Sequence, residues 1–290
     1  MNGEESMKIG VNGASGNFGT TTVKHLLERT VGQHSVVAIS RSPEKIAIDG
    51  VEARFGDYDQ PLSLIEAYKG LDRLLLIPST SLQPGARAAQ NIAAINSAVE
   101  AGVSHIVLVS SSGVRNAQKT NIAADYFASE QHLMRTARQW SILRMSYYAE
   151  ALINEAQMSL MHGVLTGLTE NKVSFVSRDD LAAAAAGLLV SEGHDGVIYT
   201  GTGPESLTGS QRAELIAKAS GKPLTFLTLP LETLQGQLQK AGLPTDVITA
   251  IVSIQQNFSN GDFDIVTGDI EKLSGRPARN LDSILSISFQ

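Results

Sequence analysis

The chain has 290 residues, 42% hydrophobic and 18% charged, with a formal net charge of -6 and no cysteine. Such a length can bury a sizeable core, and the acidic balance without any Lys/Arg-rich run argues against nucleic acid or an anionic membrane surface as the main partner. Lack of cysteine excludes disulfides, thiolate catalysis and cysteine-bound metals and suits a reducing cytoplasm, while no apolar run approaches the ~20 residues of a membrane span and no signal peptide opens the chain.

Met1 to Ser6 is polar and expected to fray, so ordered structure is expected from Met7. The apolar run Ile9 to Val11 predicts a buried parallel strand, and Val23, Leu26 and Leu27 recur at helical spacing further on. Between them lies Gly13-Ala14-Ser15-Gly16-Asn17-Phe18-Gly19. In a strand-turn-helix of this kind, Gly13 makes the tight turn, Gly16 admits a diphosphate close to the main chain, and Gly19 lets the helix pack against the strand. The helix start then offers free N–H groups to the phosphates. The spacing, Gly-x-x-Gly-x-x-Gly, differs from the commoner Gly-x-Gly-x-x-Gly, so its context carries the reading.

A second strand, Ser35 to Ser40, ends at Arg41, with Ser42-Pro43-Glu44-Lys45 expected to begin a helix. The residue just past this strand faces the adenosine ribose in dinucleotide folds: an acidic group selects NAD, whereas an arginine accepts the 2′-phosphate of NADP. Arg41, with no acidic residue from Val36 to Pro43, predicts NADP(H). A solvated surface arginine is the plainer alternative.

A third strand is expected over Val51 to Phe55, then Gly56-Asp57-Tyr58-Asp59 and a helix from Pro61 to Lys69. Asp57 is a candidate for the adenine edge or, equally, a turn aspartate. The fourth strand, Leu74 to Ile77, ends in the polar lip Pro78-Ser79-Thr80-Ser81. Carboxyl ends of such strands are where ligands bind. A helix from about Arg87 to Ala101 leads to a fifth strand, His105 to Val109, which finishes in Ser110-Ser111-Ser112. Those serines either flank the nicotinamide or simply end the strand.

Next come a helix carrying Asp125-Tyr126 and Glu130, a sixth strand Ser141 to Arg144, and Met145-Ser146-Tyr147-Tyr148-Ala149-Glu150. The alternation predicts an α/β fold with a doubly wound parallel sheet, Rossmann-like, and a smaller, mostly helical C-terminal substrate domain. The expected division is 7–155 for the cofactor domain and 156–290 for the substrate side, with some segments returning to the main sheet. In that second part a strand is expected at Val173 to Val176, and Ser177-Arg178-Asp179-Asp180 caps an alanine-rich helix, Leu181 to Val190. A strand at Val197 to Thr200, a helix from Gln211 to Ser220 and mostly helix thereafter complete the chain. The six histidines are scattered without metal-ligand spacing, so no metal is expected. No Gly-x-Ser-x-Gly elbow marks a hydrolase.

Val11 to Gly19, Val37 to Arg41, Gly56-Asp57-Tyr58, Leu74 to Ser79, Ser177 to Ala186 and Glu192-Gly193-His194-Asp195-Gly196 together resemble the NmrA-like, atypical branch of the short-chain dehydrogenases. Within it, the likeness is to bacterial NAD(P)H:quinone oxidoreductases and triphenylmethane reductases, over nearly the full length. The resemblance implies that Gly13 to Phe18, Arg41, Pro78 to Thr80 and Met145 to Glu150 embrace NADPH, with an electron-poor aromatic substrate or quinone between the two domains. It leaves dimerisation open. Two departures stand out. The superfamily's Tyr-x-x-x-Lys reads Tyr126-x-x-x-Glu130 here, and the quinone-reductase relatives carry asparagine where this chain has Met145. A lysine stabilises a phenolate whose acid has a pKa of ~10; a carboxylate does the reverse. Tyr147 and Tyr148 therefore join Tyr126 as candidate catalytic residues, polar or stacking groups near the reacting ring. A quinone delocalises the arriving electron pair and needs acid help less than a simple ketone does. The reading is NADPH-dependent reduction of a quinone or related conjugated acceptor. Its rivals are a non-catalytic NADP(H)-binding redox sensor and a sugar-nucleotide epimerase, the latter weakened by Glu130.

Overall fold

The computed structural model describes residues 6–116 and 121–289. Apart from Ser6, the opening segment expected to fray lies outside the described residues. Seven parallel strands make the main sheet: β1 Lys8–Asn12, β2 Ser35–Ser40, β3 Glu52–Phe55, β4 Arg73–Leu76, β5 His105–Ser111, β6 Gln139–Met145 and, by the numbering used below, β10 Val197–Gly201. Their order is β10-β6-β5-β4-β1-β2-β3. The chain builds outward from β1 to β3, then crosses to β4 on the other side of β1. The carboxyl ends of β1 and β4 therefore flank the point where strand order reverses, the place where such sheets bind ligands.

Period-2 alternation distributes the side chains to two cores. Ile9, Val11, Val36, Ala38, Leu75, Val107, Val109 and Leu143 face one way, toward α1 Asn17–Thr30 and α6 Arg178–Val190. Val37, Ile39, Leu74, Leu76, Ile106, Leu108 and Ile142 face the other, toward α2 Pro61–Tyr68, α3 Ala86–Glu100 and α4 Ile122–Thr136. Strands buried on both faces read as continuous apolar runs, which is why they were legible.

Helix α6 shows how composition sets packing. The Ser177 hydroxyl accepts the Asp180 N–H at 3.0 Å, and Asp179 and Asp180 complement the helix dipole. Alanine favours the helix and lets neighbours come close. At Gly187 a Cβ would stand 1.9 Å from the carbonyl oxygen of Leu273, so only glycine fits against the helix Asp269–Ser274 that packs there.

The remaining elements are β7 Tyr147–Tyr148, α5 Ala149–Ser159, β8 Val164–Gly167, β9 Val173–Val176, β11 Ser206–Leu207, α7 Gly209–Ser220, β12 Thr225–Thr228, α8 Leu231–Lys240, α9 Thr245–Ser259, α10 Asp269–Ser274 and α11 Leu281–Ser288. They form a three-strand sheet, β11-β9-β7, and a parallel pair, β12-β8. Around these a third core gathers Leu152, Phe175, Ile216, Phe258, Phe263 and Leu285.

The expected helix after Arg41 is corrected. Pro43–Lys45 makes one 3₁₀ turn, with no α-helix behind it. The alternate residues Ile46 and Ile48 pack on the main core instead, and a helix would point them apart.

Candidate active site

A cleft of about 380 Å³ opens at the switch point, between the glycine turn, the end of β2 and the lip after β4. Gly13, Ser15, Gly16, Arg41, Asp57, Pro78, Ser79 and Thr80 line it, joined by Asn12, Ser40, Tyr58, Asp59, Ser81 and Gln90. Gly13 sits at φ +86°, the left-handed region that glycine occupies without strain. Both Gly13 and Ala14 donate their N–H to the Ile39 carbonyl, at 3.0 and 3.1 Å, fixing the turn against β2. Gly16 is the N-cap of α1, with no side-chain cap and no acidic residue in the first turn. The first N–H groups of α1 are consequently left for an anion.

Within the glycine segment the roles divide. Gly19 is a packing glycine: its Cβ would lie 2.3 Å from the Gly13 carbonyl oxygen. At Gly16 the same construction meets the nearest protein atom at 3.4 Å, an ordinary contact. Ala14 and Phe18 are buried in the core beneath the turn, and Asn17 is exposed.

Arg41 is exposed at the cleft rim and has no ion-pair partner among the described residues. Two hydroxyls hold its loop. Ser40 donates to the Ser15 hydroxyl at 2.7 Å and accepts the Ser42 N–H at 3.0 Å, tying the arginine's strand end to the glycine turn. Asp57 does double duty: it lines the cleft while accepting the Asp59 N–H at 3.1 Å within its own turn. The lip is fastened through Ser79, whose hydroxyl bonds the Gln90 side chain, which in turn donates to Asp59 at 2.6 Å. Tyr58 donates its phenol to the Ile77 carbonyl. None of Ser40, Tyr58 and Gln90 was legible as a site residue, because what brings them in is the fold of the lip.

The other expected contacts lie elsewhere. Ser110 is fully buried and its hydroxyl has no partner among the described residues. Ser146 turns inward, donating to the Ser174 carbonyl at 2.7 Å. Glu150 accepts the Arg178 N–H at 3.0 Å, and so holds the start of α6. Met145 ends β6 beside β5, where its carbonyl accepts the Ser112 N–H at 2.8 Å. Half-buried Tyr147 stands edge-on to Phe258 with ring centres 5.0 Å apart, and Tyr148 lies under the Arg178 guanidinium. These two tyrosines point to different neighbours.

The Tyr126–Glu130 frame is committed. The Tyr126 phenol is buried and accepts from Arg87 at 2.8 Å, with the guanidinium also over its ring. Burial pushes its pKa up, and Arg87 only partly opposes this. Glu130, 1% exposed, is gripped by Arg144 through two bonds at 2.9 and 2.6 Å. Arg144 projects from β6, a partner no reading of local spacing could supply.

Among the described residues there is no cluster of three His, Asp or Glu side chains placed to hold a metal, and no helix long and apolar enough to cross a membrane. The turn glycine, the uncapped helix start and the unpaired Arg41 fit a dinucleotide carrying a 2′-phosphate.

A family model described as NAD(P)H-binding matches residues 13–192. Quinone oxidoreductase 2 of Escherichia coli (strain K12) is 30% identical over 285 residues, 97% of this chain and 98% of the relative. The structure of the E. coli NADPH-dependent quinone oxidoreductase complexed with NADPH matches with a TM-score of 0.89 at 30% identity, covering 97% of this chain and 100% of that one. Triphenylmethane reductase of Citrobacter sp., complexed with NADP(H), matches with a TM-score of 0.88 at 28% identity and the same coverage. An NAD(P)H azoreductase of Xenophilus azovorans is 26% identical over 268 residues, 92% of this chain and 93% of the relative. The likeness to quinone-reductase and dye-reductase relatives read from the motifs agrees with these matches. The chain belongs to the NAD(P)H-binding family and is an NAD(P)H-dependent oxidoreductase.

Proposed function

We propose that this protein uses NADPH to reduce a quinone or a related conjugated aromatic acceptor. Residues of about 7–155 hold the cofactor, and 156–290 supply the substrate side, with α6 and β10 returning to the main sheet. The loop Gly13 to Gly19 and the start of α1 take the diphosphate, Arg41 the 2′-phosphate, Asp57 the adenine edge, and Pro78 to Thr80 with Met145 the nicotinamide side. Bound NADPH supplies the hydride. The chain's own work is to orient the acceptor, exclude water and provide hydrogen-bond donors.

The observation that carries this reading is the double commitment of Tyr126 to Arg87 and of Glu130 to Arg144. A simple ketone becomes an alkoxide and needs the phenol acid that this frame no longer offers; a conjugated acceptor spreads the charge itself. Tyr126→Phe is therefore expected to keep acceptor-dependent turnover within about threefold, under ~1 kcal/mol of barrier. Its cost falls on stability, about 1 kcal/mol for the lost bond to Arg87. A drop of a hundredfold in kcat would restore Tyr126 as the acid and contradict the reading.

Arg41→Ala tests the cofactor assignment. A charge-assisted contact is worth roughly 1.5–3 kcal/mol, so the ratio of kcat/KM for NADPH over NADH is expected to fall on the order of 10- to 100-fold, with NADH kinetics little changed. An unchanged ratio would return Arg41 to the solvated surface.

A further inference from the structure

The apolar run of β2, Val36 to Ile39, ends on a buried hydroxyl. Ser40 is 4% exposed, and by strand alternation its side chain shares the face of Val36 and Ala38, the face that carries α1 and the glycine turn. A buried hydroxyl needs partners, and Ser40 has two. The Ser42 N–H, which can only donate, gives its hydrogen to the Ser40 hydroxyl at 3.0 Å, and Ser40 gives its own to the Ser15 hydroxyl at 2.7 Å. Ser15 makes no other side-chain hydrogen bond among the described residues, so its own hydrogen is left over. Ser15 is exposed and lines the cleft beside Arg41. The order of donors, Ser42 to Ser40 to Ser15, therefore runs from the strand end to the cleft wall and stops there with one hydrogen unspent.

Both sides of this contact are held by backbone. Gly13 and Ala14 donate to the carbonyl of Ile39, the residue before Ser40, and the Gly16 N–H donates to the Gly13 carbonyl at 3.1 Å. The Ser40 carbonyl accepts the Gly56 N–H, also at 3.1 Å. The Ser15 hydroxyl is thus fixed in place before any ligand arrives, which lowers the cost of binding one.

The charges of the cleft give that hydrogen a use. Among the described residues that line it, Arg41 is the one cation, and the carboxylates of Asp57 and Asp59 stand against it. A phosphate monoester carries close to two negative charges near neutrality and accepts through three oxygens. One exposed guanidinium facing two acids leaves such a group short of donors. A hydroxyl that already accepts a hydrogen bond is the better donor, because bonds in a chain polarise one another.

We propose that Ser40 sets the preference for NADPH over NADH as a positioning residue: its hydroxyl makes Ser15 a donor directed to the 2′-phosphate, beside Arg41. The inference deepens the cofactor reading above, rests on Arg41 meeting the 2′-phosphate, and is independent of the acceptor. A hydrogen bond to a charged oxygen is roughly twice as strong as one to a neutral partner, so the 2′-hydroxyl of NADH gains less from the same donor.

The test is binding without turnover. Adenosine 2′,5′-bisphosphate and adenosine 5′-monophosphate differ only in the 2′-phosphate, and calorimetric titration of each gives the preference directly. Ser40→Val and Ser40→Thr share a shape and differ in the hydroxyl, so any cost of added bulk is common to both, and Ser40→Ala adds no bulk. Ser40→Ala and Ser40→Val are expected to lower the preference for the bisphosphate by about three- to tenfold, with affinity for the monophosphate within about twofold of wild type, and Ser40→Thr to keep most of the preference. Because the effect passes through Ser15, adding Ser40→Ala to Ser15→Ala should lower the preference by less than about a further twofold. An unchanged preference in Ser40→Ala and Ser40→Val, equal weakening of both nucleotides, or full additivity with Ser15→Ala would overturn the assignment. A wild type that binds the two nucleotides equally would instead sink the placing of the 2′-phosphate at Arg41, and the inference with it.

Discussion

Arg144→Ala is expected to destabilise the protein by about 3–5 kcal/mol, lowering Tm on the order of 10 °C. Glu130 is 1% exposed and its two recorded bonds both come from Arg144. Removing the guanidinium strands a carboxylate between α4 and β6, where water cannot reach it, and an unpaired buried charge costs more than the pair contributed. The double variant Glu130→Met, Arg144→Met removes both charges and should recover most of the loss. Thermal denaturation of the three variants checks this directly. Equal losses in the single and double variants would mean that packing, and not the stranded charge, sets the cost.

The second large effect separates two glycines of one turn. Gly19→Ala places a Cβ 2.3 Å from the Gly13 carbonyl oxygen and 2.8 Å from the Ala14 Cα, both backbone atoms that no rotamer change can move. Either α1 or the turn must shift, so stability should fall by about 1–3 kcal/mol and NADPH affinity by at least about tenfold. Gly16→Ala differs. Its backbone, at φ −79°, accepts any residue, and its nearest protein contact is 3.4 Å. Stability should stay within about 0.5 kcal/mol, while the added methyl, standing where a diphosphate approaches the main chain, weakens NADPH binding by about tenfold or more. Calorimetric binding and Tm on the two variants distinguish them. Undiminished NADPH binding in Gly16→Ala would mean that the diphosphate does not meet the turn there.

Sequence alone carried much of this architecture. The run Ile9 to Val11, the glycine turn and the helix behind it were readable because a strand buried on both faces is continuously apolar and a helix start has its own chemistry. The Ser177 cap and the alanine helix were readable for the same reason, and so was a strand at Val197 to Thr200, but its pairing with β6 was not. The pair β8–β12 was not. Its strands are four residues long, and Thr225 to Thr228 are mostly exposed, so neither run nor alternation marks them. The turn at Pro43–Lys45 misled because proline opens helices generally, while the fate of Ile46 and Ile48 depends on a core assembled from distant segments.

At the site the division is similar. Arg41 and the glycine turn could be placed from local order. That Ser40 bridges to Ser15 and that Arg144 reaches Glu130 are meetings decided by how strands and helices cross. The swap of lysine for Glu130 was visible as a loss. Its structural meaning, a buried ion pair in place of an acid-activating lysine, needed β6 beside α4.

The most direct measurement of the central claim is NADPH oxidation by the purified protein, followed by its near-ultraviolet absorbance with and without a series of benzoquinones and naphthoquinones, alongside NADH. Acceptor-dependent oxidation that prefers NADPH is the expected result. Tight NADPH binding with no consumption across the series would contradict it and leave a cofactor-binding sensor in its place.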